Sequence, residues 1–151
     1  MIKKVFLLLC TVMSIGLAHA QLDPVSWKFS TKKISDNVYE AVMTATLKPG
    51  WHLYSQIQPK DAIALPTEFE FAKNPLVTMS GAVKEVGKLQ KVKDPALGST
   101  AHQYANTVTF VQKITLKTKA KTTLSGTVEY QTCDDSKCLP PKKVPFKLQL
   151  G

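Results

Sequence analysis

Apolar residues recur at every second position over most of the chain, which is the pattern of half-buried β-strands. The two longest alternating runs are Tyr39–Leu47 and Val108–Leu116. Shorter segments of the same kind lie between turn signals such as Pro49-Gly50. The predicted strands are Val25–Phe29, Tyr39–Leu47, Trp51–Tyr54, Thr67–Phe71, Val108–Leu116, Leu124–Tyr130 and Val144–Leu150.

No convincing amphipathic helix longer than three turns accompanies these strands. About seven short strands separated by turns predict an all-β protein, a single-domain antiparallel β-sandwich that is immunoglobulin-like in general shape. An antibody-type Cys–Trp–Cys core is excluded, because both cysteines of the predicted domain lie in one hairpin. The stretch Lys88–Asn106 lacks a strand pattern, so we predict a long loop there that covers a site or binds a partner.

The N-terminal residues 1–20 have the pattern of a secretory signal peptide. Two lysines precede the apolar run Val5–Leu17, and Ala18-His19-Ala20 matches the small-x-small cleavage pattern. The alternative, a membrane anchor, is disfavoured because the run is short and no stop-transfer flank follows. We therefore expect residues 21–151 to form a periplasmic domain with no membrane span of its own.

The charge of the chain is strongly positive and comes entirely from lysine. The formal net charge of +9 falls to +7 once Lys3 and Lys4 of the leader are removed. Arginine, the residue suited to bidentate phosphate contacts, is absent, and the lysines are spread along the chain. This pattern favours a solvated surface and predicts no nucleic-acid partner.

Removal of the leader discards Cys10 and leaves two cysteines, Cys133 and Cys138. A bond between them closes a ring of six residues, which the chain-entropy model values at only about 2 kcal/mol of stability. Outside the cytosol such a pair is expected to oxidise unless something reduces it. Spacing alone therefore leaves two hypotheses open: a plain structural disulfide, and a bond that is made and broken in chemistry.

The local sequence sets the geometry and reactivity of this pair. Asp134-Asp135-Ser136 favours a turn, so the two cysteines can reach the separation of about 7 Å or less between α-carbons that a disulfide needs. The two aspartates are expected to raise the thiol pKa values, and Lys137 and Lys142 to lower them.

Neither strong activation nor a metal is predicted at the cysteine pair. The motif contains no histidine, and the sequence does not show whether His52 or His102 lies near it. Two cysteines without clustered histidines fall short of the four ligands of a structural zinc site, so we predict no metal.

The segments Tyr130-Gln131-Thr132-Cys133 and Cys138-Leu139-Pro140-Pro141 resemble the active-site hairpin of the N-terminal domain of the thiol:disulfide interchange protein DsbD. Gly50–Ser55 and the strand Val108–Phe110 are also similar to that family. The resemblance covers essentially all of residues 21–151.

The resemblance implies an immunoglobulin-like periplasmic domain that takes electrons from a thioredoxin-like donor and hands them to periplasmic thiol-disulfide client proteins. Cys133 and Cys138 would be the redox pair, with no cofactor, because the cysteines carry the two electrons. Cys138 would form mixed disulfides with partners, and Cys133 would resolve them. By position, Asp94–Tyr104 would correspond to the family's flexible cap loop over the cysteines.

Two features of the chain depart from the family pattern. The best-known DsbD N-terminal domain has one more residue between its two cysteines. The sequence also ends at Gly151, before any membrane or thioredoxin-like domain, so we expect a separate electron donor and allow for a membrane-protein partner. The alternative function is a non-enzymatic secreted β-sandwich that binds or scaffolds other proteins and carries a structural disulfide.

Overall fold

Antiparallel strands account for most of the chain in the computed structural model, which describes residues 23–93 and 98–151. The predicted leader at residues 1–20 lies outside these ranges. The strands are β1 (Val25–Lys33), β2 (Val38–Leu47), β3 (His52–Tyr54), β4 (Glu68–Phe71), β5 (Val77–Gly87), β6 (Gln90–Lys93), β7 (Thr100–Ala105), β8 (Thr107–Leu116), β9 (Thr122–Tyr130), β10 (Thr132–Cys133) and β11 (Lys142–Leu150).

The strands form three antiparallel sheets. One has the order β1-β2-β8-β5, one the order β11-β9-β4, and one, made of short strands, the order β10-β3-β7-β6. The prediction of an all-β, antiparallel, single-domain sandwich of immunoglobulin-like form is confirmed. No helix within the described ranges is long and apolar enough to cross a membrane.

The core lies where the alternating pattern placed it. Every second residue of β2 is buried, and the same period continues on β8, where a single polar side chain, Gln112, interrupts the apolar face. The Gln112 amide donates hydrogen bonds to three backbone carbonyls, so its burial is compensated. The buried apolar residues of these two strands are Tyr39, Ala41, Met43, Ala45, Leu47, Val108, Phe110, Ile114 and Leu116.

The central pair of strands is interrupted and then resumes toward the cysteine end. On one strand the break is the turn at Pro49-Gly50, and on the other it is the single residue Asn106 between β7 and β8. Both Gly50 and Asn106 have positive φ angles, 81° and 62°, which glycine and asparagine tolerate best. Beyond the break, β3 pairs with β7 and extends the sheet toward the cysteine hairpin.

The prediction of a long loop at Lys88–Asn106 is wrong. The segment contains β6 and β7, which pair with each other, and β7 also pairs with β3. These strands are short and carry glutamine, lysine and threonine, so tertiary pairing, not an apolar period, forms them. Asp94–Leu97, the first part of the predicted cap stretch, lies outside the described residues.

The prediction of about seven strands also missed β5. This strand pairs with β8 in a register that shifts between Ser80 and Lys84, next to Gly81 with its φ of 73°. A bulge of this kind moves the apolar residues off a strict period of two, which hides the strand from pattern analysis.

Candidate redox site at the cysteine hairpin

Cys133 and Cys138 face each other across a hydrogen-bonded hairpin and form a disulfide with a separation of 4.0 Å between their α-carbons. The Asp134 amide donates to the Lys137 carbonyl and the Leu139 amide donates to the Thr132 carbonyl, each at 2.9 Å. The cysteines thus occupy a non-hydrogen-bonded antiparallel pair, the position where opposite α-carbons come closest. The hairpin backbone, and not only the sulfur–sulfur bond, holds them together.

The turn between the cysteines is fixed by the side chain of Asp134. Its Oδ1 accepts hydrogen bonds from the Ser136 amide at 2.9 Å, the Ser136 hydroxyl at 2.8 Å and the Lys137 amide at 2.8 Å. These bonds, led by the one from the Ser136 amide, hold the pKa of Asp134 below its usual value. Asp134, which the sequence analysis expects to raise the thiol pKa values, therefore also stabilises the turn between the two cysteines.

The hairpin joins the sheet of short strands through β10. Thr132 is paired with Leu53 and Cys133 with His52. Since β3 follows β2 after the break at Pro49-Gly50, the cysteine pair lies at the end of the molecule where the central strands end.

The two cysteines differ sharply in their access to solvent. Cys133 is only 2% exposed, whereas Cys138 is exposed. Both cysteines line the same cleft, and Cys138 is the more accessible of the two. The roles that the family resemblance implies for the two residues stay predictions.

Two side chains of β3 lie beside the buried cysteine. The Tyr54 hydroxyl donates a hydrogen bond to Cys133 Sγ at 3.0 Å and lies 3.4 Å from His52 Nε2. Burial raises the pKa of Tyr54, so the phenol remains a donor at neutral pH. Burial lowers the pKa of His52, and Asp135 and Asp134 partly oppose that effect.

Sequence reasoning left open which histidine lies near the cysteines and did not single out Tyr54. The alternation of β3 could have indicated both residues, because His52 and Tyr54 are two positions apart and therefore share a face of the strand. His102 lies elsewhere, with its Nδ1 2.9 Å from the Ile57 carbonyl oxygen. Lys142, expected to act on the thiols, instead forms an ion pair with Asp23, and that hydrogen bond raises the pKa of Lys142. Lys137 does line the site.

The disulfide borders an open cleft with a volume of about 880 Å³. Three apolar side chains on its rim are largely solvent-exposed: Ile63 at 67%, Leu65 at 49% and Val92 at 43%. The described part of the predicted cap stretch contributes Ser99, Ala101 and Gln103 to the same wall. The cleft therefore combines an exposed cysteine with exposed apolar side chains, a combination found where partner proteins bind.

A network of hydrogen bonds centred on Glu85 supports this end of the molecule. Its carboxylate accepts bonds from the Ser55 hydroxyl at 2.7 Å, the Gln56 amide at 2.6 Å and the Tyr104 hydroxyl at 2.7 Å. Burial, followed by the bond to Glu85, raises the pKa of Tyr104 well above its usual value. The network ties β5 and β7 to the loop after β3 and so fixes the strand that carries His52 and Tyr54.

The described ranges contain no group of three or more histidine, cysteine, aspartate or glutamate side chains that could hold a metal ion. The reactive groups that the structure brings together at this end are the two sulfur atoms and the polar side chains of β3 beside them.

Solved structures with a similar fold include DsbD N-terminal domains and a periplasmic domain of ScsB. The N-terminal periplasmic domain of ScsB from Proteus mirabilis aligns with a TM-score of 0.59 at 16% identity, over 89% of this chain and 49% of that chain, so this chain spans about half of its length. The reduced DsbD N-terminal domain from Neisseria meningitidis aligns with a TM-score of 0.53 at 12% identity, over 82% and 83% of the two chains.

A third structure, the complex between the DsbD N-terminal and PilB N-terminal domains from Neisseria meningitidis, aligns with a TM-score of 0.55 at 14% identity, over 86% of this chain and 88% of that chain. At these identities the structures establish the shared fold alone. No curated protein sequence matches the chain.

The sequence of the chain matches a family at almost full length. The family is described as "Thiol:disulfide interchange protein DsbD, N-terminal", and the match covers residues 20–150. It includes both cysteines of the hairpin, His52 and Tyr54. The chain therefore belongs to the family of DsbD N-terminal domains.

Proposed function

We propose that this protein exchanges disulfides through Cys133 and Cys138 in the periplasm. It takes two electrons from a reduced thioredoxin-like donor and passes them to oxidised periplasmic proteins. Membership of the DsbD N-terminal family supports thiol-disulfide exchange in general. The solved complex of a DsbD N-terminal domain with a PilB N-terminal domain supports a partner protein that docks on this fold.

The observation that carries the proposal is the unequal exposure of the two sulfurs within one hairpin. In the reductive half of the cycle, a donor thiolate attacks the exposed Cys138 sulfur. The Cys133–Cys138 bond breaks, and Cys133 leaves as a thiolate that accepts the hydrogen bond of Tyr54. The second thiol of the donor then attacks its own mixed disulfide and releases Cys138, so the pair is reduced and the donor is oxidised.

In the oxidative half the same sulfurs act in reverse. The Cys138 thiolate attacks a client disulfide, and one client sulfur leaves as a thiolate. Cys133 then attacks the Cys138 sulfur, re-forms the internal disulfide and releases the second client sulfur. Because the hairpin holds the two α-carbons 4.0 Å apart, the resolving step needs no large movement of the backbone.

The rim of the cleft is the proposed docking surface for both partners. Its exposed apolar residues, Ile63, Leu65 and Val92, line the same cleft as Cys138, the more accessible cysteine of the pair. Contact with that rim would hold the partner's cysteine at Cys138 long enough for exchange.

Export of the protein is part of the proposal. Residues 1–20 would be removed after Ala20 and leave a domain of residues 21–151, and the start of the family match at residue 20 supports this boundary. The intact mass of protein recovered from a periplasmic fraction should correspond to a chain that begins at Gln21. A mass that retains the leader would contradict the proposed processing.

A redox titration tests the proposed exchange. The purified domain would be equilibrated with glutathione buffers of graded ratio, and free thiols would be counted by alkylation and mass spectrometry. An exchanging pair should have a potential above about −300 mV, because structural disulfides of secreted proteins typically lie below that value. A lower potential, with no exchange with reduced thioredoxin, would favour the alternative of a binding or scaffold module.

A further inference from the structure

We propose that His52 takes the proton of Cys133 through Tyr54 when the reduced pair closes its disulfide, and returns it when the disulfide opens. The proposal rests on the exchange function stated above and adds a route for the proton. It concerns the resolving step only, since Cys138 is exposed and exchanges its own proton with water.

The need for a route follows from burial. Cys133 is 2% exposed, so its thiol has little direct contact with water. The thiolate, not the thiol, attacks a disulfide, and burial in apolar surroundings disfavours the thiolate. A polar group beside the sulfur must therefore accept the proton or stabilise the charge.

The structure places a chain of polar atoms between Cys133 and the cleft. The Tyr54 hydroxyl lies 3.0 Å from Cys133 Sγ and 3.4 Å from His52 Nε2. The two rings meet edge to face with their centres 5.4 Å apart. His52 is half-buried and lines the open cleft, so its imidazole connects the buried sulfur with solvent.

In the closing direction, Cys133 passes its proton to the Tyr54 oxygen while the Tyr54 proton moves to His52 Nε2. The Cys133 sulfur attacks Cys138 Sγ, the internal disulfide forms, and the bond from Cys138 to the client sulfur breaks with both electrons leaving on the client. The imidazolium then gives its proton to water in the cleft.

The charges around His52 are compatible with this role. Burial keeps the pKa of His52 below its usual value, so the imidazole is neutral at pH 7 and free to accept. Asp134 and Asp135 of the turn would stabilise the imidazolium once formed. Lys93 of β6 and Lys137 of the turn also line the cleft, and the residue paired with His52 on β7 is the neutral Ala105.

The test follows the two steps of oxidation separately. Reduced protein is mixed with Ellman's reagent, 5,5′-dithiobis(2-nitrobenzoate), in stopped flow from pH 5 to pH 9. Attack by Cys138 releases the first thionitrobenzoate, and resolution by Cys133 releases the second. The histidine titration of the reduced wild-type protein is measured by NMR in the same buffers.

The second phase of the wild-type protein should slow as pH falls through the pKa of His52 that NMR records, because a protonated imidazole cannot accept. In H52Q the second phase should be about a hundredfold slower at pH 7, at the low end of what a positioned base contributes, and should lack that inflection. The first phase should be unchanged. The matched control H102Q replaces the histidine that lies away from the cleft and should behave as wild type.

The proposal is overturned if the second phase of H52Q keeps the rate and pH profile of H102Q. The wild-type profile remains an independent test if H52Q does not fold, because an inflection that does not coincide with the NMR titration of His52 also overturns the proposal. Absence of any second phase in the wild-type protein would instead contradict the exchange function itself, so the two failures are distinguishable.

Discussion

The body of the sandwich and its cysteine end are built in different ways. The strands β1, β2, β8, β9 and β11 are nine or ten residues long, and their inward side chains form the apolar core. At the other end, β3, β6, β7 and β10 are two to six residues long, and side-chain hydrogen bonds to Glu85 and Tyr54 hold the parts together. Apolar burial thus supports the fold, whereas a polar network positions the cysteine pair, so substitutions should affect stability and the proposed exchange separately.

The largest expected effect concerns the two cysteines themselves. C133S should accumulate a mixed disulfide with an oxidised peptide through Cys138 that cannot resolve, while C138S should form little mixed disulfide, because its remaining cysteine is buried. Mass spectrometry after incubation with an oxidised peptide measures both outcomes. Both variants should stay folded, since the ring contributes only about 2 kcal/mol. Equal amounts of mixed disulfide in the two variants would show that the unequal exposure of the two cysteines does not determine which one reacts.

The second largest effect should fall on the body and spare the chemistry. Phe110 is completely buried and packs against Phe69 and Trp27 with ring centres 5.0 Å and 5.9 Å apart. F110A should lower the free energy of unfolding by about 3–5 kcal/mol in urea titrations, because a cavity replaces the ring. The exposed control V86A should change it by less than about 0.5 kcal/mol.

The exchange rate of F110A tests whether the stability of the sandwich body and the chemistry of the cysteine end are independent. Under conditions where the variant is folded, its second-order rate with reduced thioredoxin should equal that of the wild type. The milder F110L serves the same purpose if F110A does not fold. A folded variant whose exchange rate falls along with its stability would show that the body and the cysteine end are coupled.

The body could be predicted from sequence because its energetics are periodic. A strand that buries one face must place apolar residues at every second position, so Tyr39–Leu47 and Val108–Leu116 reveal their strands, their faces and their share of the core. The strand β5 was not predicted, because the bulge between Ser80 and Lys84 interrupts this period.

The cysteine end could be predicted only in part. The spacing and flanks of Cys133 and Cys138 identified the pair, but β6 and β7 carry no apolar period, since backbone pairing with β3 forms them. The contact of Tyr54 with Cys133 joins residues 79 positions apart in sequence. A contact of that range depends on the register between β3 and β10, which local patterns do not encode.

A smaller effect should follow from removal of the hydrogen bond to the buried sulfur. Y54F keeps the ring and loses the hydroxyl that would stabilise the departing Cys133 thiolate. Bonds to charged groups contribute about 1.5–3 kcal/mol, so reduction of the disulfide by dithiothreitol should slow by about 10- to 150-fold. Y39F, which removes a hydroxyl from the body, is the matched control. Equal rates for Y54F and Y39F would mean that the Tyr54 contact does not assist cleavage.

The smallest effect should appear in the pH dependence of stability and should come from the cysteine end. Burial and the bond to Glu85 raise the pKa of Tyr104 above the value of about 10 in an unfolded chain. Above pH 10 the unfolded chain therefore loses the phenol proton while the folded protein keeps it, so stability falls as pH rises. One such group contributes a slope of at most about 1.4 kcal/mol per pH unit.

Y104F should therefore show a shallower alkaline loss of stability than the wild type. At pH 8 the variant should be less stable by about 1 kcal/mol, because Glu85 loses a donor. Between pH 10 and pH 11 its urea midpoint should fall less steeply, although burial also raises the pKa values of Tyr54 and Tyr130, which leaves a residual slope. Urea titrations at pH 8, 10 and 11 measure both effects. If Y104F declines as steeply as the wild type, the bond between Tyr104 and Glu85 is not what couples this end of the sandwich to proton loss, and the polar network would have to be held by its bonds to Ser55 and Gln56 alone.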